Sequence, residues 1–273
     1  MNTDASSAPV ISFENVSIGF DQADVLRGLS FSVAPRETKV LVGESGTGKT
    51  IILKLAAGLL RPESGAVHVL GRDLSTMTEK QLLDFRRQIG FVFQEGALFD
   101  SLTVADNVAY LLREGGVAED EIEARVRESL RFVEMEDALE KLPDELSGGM
   151  RRRVSIARAL VSRPRVVFYD SPTAGLDPVT SQRIITLILR LRDSQGVTAL
   201  LATHRLQDAF GLANYRFDAA TGKILSAPEN GRRPSPGAPE TNLLVLRDGK
   251  SYFEGSPKNI ADSQDPYLHR FLV

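Results

Sequence analysis

The chain has 273 residues, more than the usual single-domain size of about 100 to 200, so it forms either one large domain with a subdomain or two small ones. With 42% hydrophobic and 25% charged residues it has an ordinary globular composition, and a net charge of -3 gives no bulk attraction to nucleic acid or anionic lipid. The absence of cysteine excludes disulfides, thiolate metal sites and cysteine nucleophiles. No apolar run reaches the roughly 20 residues that span a bilayer, and the opening MNTDASSAP lacks the basic and apolar regions of a signal peptide. The expectation is a soluble chain with residues 1–9 as a flexible leader.

VISFENVSIGF and LRGLSFSV alternate as two strands, and the apolar run KVLVG reads as a buried strand. Glycines then mark a loop, and KTIILKLAAGLL reads as a helix ending near Gly58. GAVHVLG alternates as a short strand, EKQLLDFRRQ is helical, and IGFVFQ is a strand. Ile122, Val126, Leu130 and Val133 fall at helical spacing, so roughly residues 101–142 form a mainly helical insertion. Next come a helix from about Gly148, the strand RVVFYD, a helix from Pro178, the strand TALLAT and a helix from about Leu206. Strands alternating with helices predict a parallel α/β sheet. Residues 226–242, with four prolines and no periodicity, predict a flexible loop, after which LLVLRDGKSYFEGSP gives two strands about a turn at Asp248 and Gly249.

GESGTGKT, spanning Gly43, Glu44, Ser45, Gly46, Thr47, Gly48, Lys49 and Thr50, matches G-x-x-x-x-G-K-[ST] between an apolar strand and a helix. Glycines let backbone N–H groups wrap a polyphosphate, and the helix starting there offers unpaired donors and its positive dipole end. Lys49 then neutralises the outer phosphates and the Thr50 hydroxyl ligates Mg2+. RVVFYD supplies the companion, an apolar strand that delivers Asp170 to the same edge of the sheet.

LSGGM at residues 146–150 separates the chain from kinases and small GTPases. Together with GESGTGKT, Gln94 after a strand, YDSPTAGLDP and His204 after LLAT, it resembles the nucleotide-binding subunit of ABC transporters over about residues 10–213. The resemblance implies a P-loop NTPase core with a parallel sheet, an N-terminal antiparallel β subdomain and an inserted helical subdomain at about 101–165. The cassette would run over residues 10–225, and 243–273 would form a C-terminal hairpin and helix of the same domain. It implies ATP and Mg2+, a head-to-tail homodimer, and Ser147, Gly148 and Gly149 binding the γ phosphate held by the other subunit. Gln94 would sense Mg2+ and the attacking water, His204 would contact the γ phosphate, Asp177 would lie at the dimer interface and Phe20 would stack on adenine. The metal set would be Thr50, Gln94 and Asp170.

A narrower resemblance lies in FVFQEGALFDSLTVADNVAYLLRE, ELSGGMRRRVSIARAL and the ending SPKNIADSQDPYLHRFL, which look like the ATPase of Mla-type lipid-trafficking systems. That group implies an integral membrane permease, an MCE-type lipid-binding protein, and a peripheral position on the cytoplasmic face of the inner membrane. The surface after Gln94, including Gly96, Ala97, Leu98 and Phe99, suits permease docking, the alternative being that Leu98 and Phe99 pack within the subdomain. Arg151, Arg152 and Arg153, on a helix, read as a solvated or interface face rather than a nucleic-acid site, and no nucleic acid is expected.

The main departure from the family is Ser171, which stands where ABC ATPases ordinarily carry the glutamate that orients or deprotonates water. A neutral hydroxyl is no base near pH 7, although it can hydrogen-bond water. Three readings stay open: a slow transporter ATPase, an ATP-dependent clamp without appreciable hydrolysis, and a soluble ABC protein acting on nucleic acid.

Overall fold

The computed structural model describes residues 8–21, 23–227 and 239–269. Most of the expected leader, residues 228–238 of the proline-rich segment, and residues 270–273 lie outside the described residues.

In chain order the strands and helices are β1 (Ile11–Phe20), β2 (Ala23–Val33), β3 (Glu37–Val42), α1 (Lys49–Ala56), β4 (Ser64–Val69), β5 (Arg72–Asp73), α2 (Glu79–Arg86) and β6 (Ile89–Val92). They continue with α3 (Val104–Glu114), α4 (Glu119–Phe132), α5 (Gly148–Leu160), β7 (Val166–Asp170), α6 (Pro178–Gln195), β8 (Thr198–Thr203) and α7 (Leu206–Asn214). The chain then forms β9 (Tyr215–Asp218), β10 (Lys223–Ser226), β11 (Glu240–Arg247), β12 (Lys250–Gly255), α8 (Pro257–Ala261) and α9 (Pro266–His269).

The central sheet has the order β12-β11-β3-β8-β7-β6, parallel except for β12. Of its strands, β3, β7 and β8 are buried on both faces, which explains why KVLV and VVFY read as continuous apolar runs rather than alternating ones. Alternation sorts their side chains: Val40, Val42, Val167, Tyr169, Leu201 and Val245 face one core with α5, α6 and α7. Leu41, Val166, Phe168, Leu200 and Leu244 face the other, shared with α1, α2 and the antiparallel sheet β2-β1-β4-β5. Burying such a Leu or Phe contributes about 1.5–3 kcal/mol, so this two-sided sheet is the rigid element on which the loops at its end depend.

The helices start where the sequence supplies caps. Thr78 and Gln81 form a reciprocal capping box on α2, Thr103 caps α3 through the Asp106 N–H, and Asp177 caps α6 with Pro178 at the first helical position. Helix α6 ends at Gly196, whose φ of 63° is the left-handed conformation glycine adopts without strain. Helices α3, α4 and α5 pack on one another, with 3-10 turns at Glu136–Ala138 and Pro143–Glu145 between α4 and α5.

The structure adds two features to the sequence expectations. Residues 215–226 form the β9–β10 hairpin, so the segment expected as a loop from 226 is preceded by a strand that ends at Ser226. Residues 240–242, expected as the end of the loop, are strand instead: β11 begins at Glu240 and pairs parallel with β3, so the C-terminal hairpin extends the central sheet. Its turn has φ of 52° at Asp248 and 75° at Gly249, matching the expected turn.

Candidate nucleotide site

The carboxyl ends of four adjacent parallel strands converge on one edge of the sheet, where open α/β sheets bind ligands. In spatial order, β3 leads into Gly43, β8 into His204, β7 ends on Asp170 followed by Ser171, and β6 leads to Gln94. Residues far apart in sequence are thereby brought to one edge.

The loop between β3 and α1 turns through left-handed glycines, Gly46 at φ 82° and Gly48 at φ 93°. A β carbon on Gly48 would meet Leu26 Cδ2 at 2.8 Å and Val25 Cγ1 at 3.1 Å, side-chain ends of β2 that would have to shift, and its left-handed φ is strained for any other residue. Helix α1 has no side-chain cap and no acidic residue in its first turn, which leaves its N-terminal donors and dipole available to an anion. The Lys49 ammonium donates to the carbonyl oxygens of Gly43 and Glu44, both at 2.8 Å. Burial lowers its pKa, opposed by the negative charge of Asp170. An ammonium folded into its own loop beside an uncapped helix start fits a polyphosphate. Glu44, Ser45 and Gly46 are exposed, and Thr47 and Thr50 are half-buried.

Asp170 is 6% exposed, and Ser171 Oγ donates to its Oδ1 at 3.4 Å. Ser171 holds a left-handed φ of 46°, its N–H donates to Ala202 O at 2.8 Å, and its carbonyl accepts from Ala174 N–H at 3.0 Å. Thr173 Oγ1 and Thr203 Oγ1 both donate to Asp208 Oδ2, at 2.5 and 2.9 Å. Asp208 thus ties the turn after Asp170 to the strand end that presents the exposed His204. Gln94 is exposed at the rim. Among the described residues no cluster of three or more His, Cys, Asp or Glu side chains could hold a metal by itself. Thr50, Asp170 and Gln94 fit Mg2+, which takes one or two carboxylates and completes its shell with substrate phosphates and water.

Phe20 is 44% exposed at the end of β1, on the hairpin whose next strand packs on Gly48. Ser147 and Gly148 are exposed at the start of α5, where Ser147 Oγ accepts from Met150 N–H at 3.3 Å. A β carbon on Gly149 would meet Thr180 Cγ2 at 2.5 Å, so this glycine is also required by packing within the chain. Asp177, exposed, accepts from the Val179 and Thr180 N–H groups at 3.0 Å. The expected contacts of Ser147, Gly148 and Asp177 across a dimer involve a second copy.

The arginine run is only in part a solvated face, since Arg152 is buried while Arg151 and Arg153 are half-buried. Arg151 donates to Leu146 O at 2.6 Å, Arg153 to Glu134 O at 3.0 Å, and Arg152 is only 5% exposed and donates to Phe93 O at 2.6 Å. Main-chain carbonyls occupy these cations, that of Leu146 from the adjoining turn and those of Phe93 and Glu134 from remote ones, which charge pattern alone does not reveal. Asn107, fully buried, was likewise invisible as a site residue: it bonds Phe99, Leu102 and Thr103 of the segment after Gln94. In that segment Leu98 packs partly against the core, whereas Phe99 is 43% exposed and lies 4.7 Å from the ring of Tyr110. The C-terminal hairpin also reaches the phosphate loop, and a cavity of about 550 Å3 opens between Glu44, Thr47, Arg247, Tyr252 and Tyr267.

The sequence model of the ABC transporter family matches residues 26–174, more than half of the chain. The methionine import ATP-binding protein MetN of Brucella abortus is 38% identical over 202 residues, covering 74% of this chain and 55% of that protein. MetN 3 of Oceanobacillus iheyensis is 38% identical over 201 residues, covering 72% of this chain and 59% of that protein. The chain thus spans a little over half the length of these relatives. The dimeric post-hydrolysis structure of the ATP-binding cassette MJ0796, bound to ADP and Pi, superposes with a TM-score of 0.73 at 27% identity, over 90% of this chain and 98% of that one. On the matched sequence and the shared cassette fold together, the chain belongs to the ABC transporter family.

Proposed function

We propose that this chain is the ATP-binding subunit of a membrane transporter, closing as a head-to-tail dimer on two ATP molecules and hydrolysing them slowly to drive a permease. The observation that carries the reading is the convergence of the Lys49 loop, Asp170 and Gln94 at the carboxyl ends of β3, β7 and β6. Gly43 to Thr50 hold the phosphates of one nucleotide, and Ser147, Gly148 and Gly149 of the second copy close over them. Phe20 offers a ring to adenine. Mg2+, when held by Thr50, Asp170 and Gln94, neutralises phosphate charge. Gln94 and His204 orient water and the outer phosphate, and Asp177 lies on the dimer face.

Ser171 sets the rate. General-base assistance contributes about 100- to 10,000-fold, so a neutral hydroxyl bonded to Asp170 leaves slow hydrolysis or a clamp that opens without it. Phosphate release by wild type, Ser171→Glu and Lys49→Ala, with and without the permease, separates these. The ATPase reading expects Lys49-dependent release that rises at least about tenfold in Ser171→Glu. Zero release by the wild type with its permease contradicts it and leaves the clamp.

Two cargo readings have separate support. The Mla-like stretches around Gln94 and Ser147 favour phospholipid, with an MCE-type partner beside the permease. The relatives named for methionine import favour a small amino acid. Transport of labelled phospholipid or labelled methionine by the reconstituted complex decides between them. No described helix is long and apolar enough to cross a membrane, so the proposed position, peripheral on the cytoplasmic face, depends on the permease. The carbonyl-bound arginines count against the nucleic-acid reading.

A further inference from the structure

Arg152 is a buried cation, 5% exposed, bonded to main-chain carbonyls of two segments of the site. Its Nη1 donates to Phe93 O at 2.6 Å and its Nη2 reaches Ala174 O at 3.5 Å. Phe93 immediately precedes Gln94, and the Ala174 N–H closes the turn that begins at Ser171. The guanidinium therefore spans the segment that carries Gln94 and the turn that carries Ser171. Its Nε is buried with no hydrogen-bond partner, an exception to the rule that buried donors are satisfied, and such exceptions need a reason. Burial lowers the pKa of Arg152, opposed by the negative charges of Asp170 and Glu95.

Arg152 sits one turn into α5, whose start is the exposed Ser147 and Gly148. Two turns further on, Arg158 donates to Gly96 O at 2.9 Å and to Ala97 O at 2.8 Å. One rigid helix thus grips carbonyls on both sides of Gln94. Helix α5 is bonded to that segment at three carbonyls and, through the longer 3.5 Å contact of Arg152, to the Ser171 turn. Two separate nitrogens of one planar group reach these carbonyls, Nη1 to Phe93 and Nη2 to Ala174, and a lysine has only one nitrogen to place, so lysine is not an equivalent.

We propose that Arg152 is a positioning residue for hydrolysis: it fixes Gln94 relative to the Asp170–Ser171 turn and transmits engagement of α5 by the second copy's nucleotide to its own site. The proposal rests on the nucleotide-dependent dimer proposed above. With glutamate missing at position 171, placement of the water falls to neutral groups, and Arg152 holds the two segments that carry them.

The test uses the full-length chain as wild type, Arg152→Lys and Arg152→Met, with steady-state phosphate release and hydrogen–deuterium exchange with and without ATP–Mg2+. The expected kinetic result is a KM within about twofold of wild type and a kcat reduced about 10- to 100-fold in both variants. In exchange, ATP is expected to protect 43–50, 93–99 and 171–176 together in the wild type, and only 43–50 in the variants. Arg152→Lys keeps a buried charge, so it serves if Arg152→Met does not fold. Variants with wild-type kcat and wild-type protection of all three segments overturn the proposal, as does a loss that appears only as a raised KM. If ATP protects none of the segments in the wild type, it is the nucleotide-binding reading that fails. If the wild type is protected but releases no phosphate, the clamp reading holds and the exchange pattern alone decides the role of Arg152.

Discussion

Asn107 and Phe99 are joined twice: the Phe99 N–H donates to Asn107 Oδ1 at 2.8 Å, and Asn107 Nδ2 donates to Phe99 O at 3.0 Å. The same Nδ2 reaches Leu102 O and Thr103 O at 3.0 Å, so one buried amide replaces the secondary structure that residues 99–103 lack. Asn107→Ala would strand at least one buried N–H, at about 1–3 kcal/mol, and add the cavity left by the amide. Urea unfolding should show a loss of about 2–4 kcal/mol. A loss below about 0.5 kcal/mol would mean the segment is not held by this side chain.

Tyr169 precedes Asp170 and is 1% exposed, with a hydroxyl that has no hydrogen-bond partner and a pKa raised by burial. An unpartnered buried hydroxyl costs about 1–3 kcal/mol, so Tyr169→Phe should stabilise the fold by about that amount. The check is the denaturation midpoint of the two proteins under the same conditions. Destabilisation would show that the hydroxyl has a partner, such as an internal water.

Asp177 caps α6, and its hydrogen bonds from Thr180, then Val179, hold its carboxyl below the ordinary value of 3.8. A depressed folded pKa means the carboxylate's contribution is complete above the unfolded value and disappears as pH falls through the folded one. Stability should therefore decline on this account only below about pH 4. Asn caps nearly as well without titrating, so Asp177→Asn should flatten that part of the acid unfolding curve while matching wild type at pH 7. Identical acid curves for the two proteins would remove the cap from the account.

What the sequence conveyed was whatever is local. The phosphate loop, the apolar strand ending in Asp170 and the Ser147 helix start are contiguous patterns whose residue types follow from helix-end and backbone chemistry. The environment of the Arg151–Arg153 run is set by carbonyls at residues 93, 134, 146 and 174, which no local pattern announces. Asp208 was missed for the same reason, since its two threonine partners are 35 and 5 residues away. The strand character of LLVLR was plain, but its pairing with β3, about 200 residues earlier, required the fold. Strands β9 and β10, four residues each and partly exposed, are too short to show periodicity.

Sedimentation of the purified chain with and without ATP–Mg2+ tests the central claim most directly, because each copy is held to supply half of every nucleotide site. ATP should convert monomer to dimer, and Lys49→Ala or Ser147→Arg should abolish the conversion. A mixture of those two variants should regain dimer, since one composite site then carries both defects and the other is intact. A chain that binds ATP yet stays monomeric, or dimerises equally with Lys49→Ala, would contradict the account.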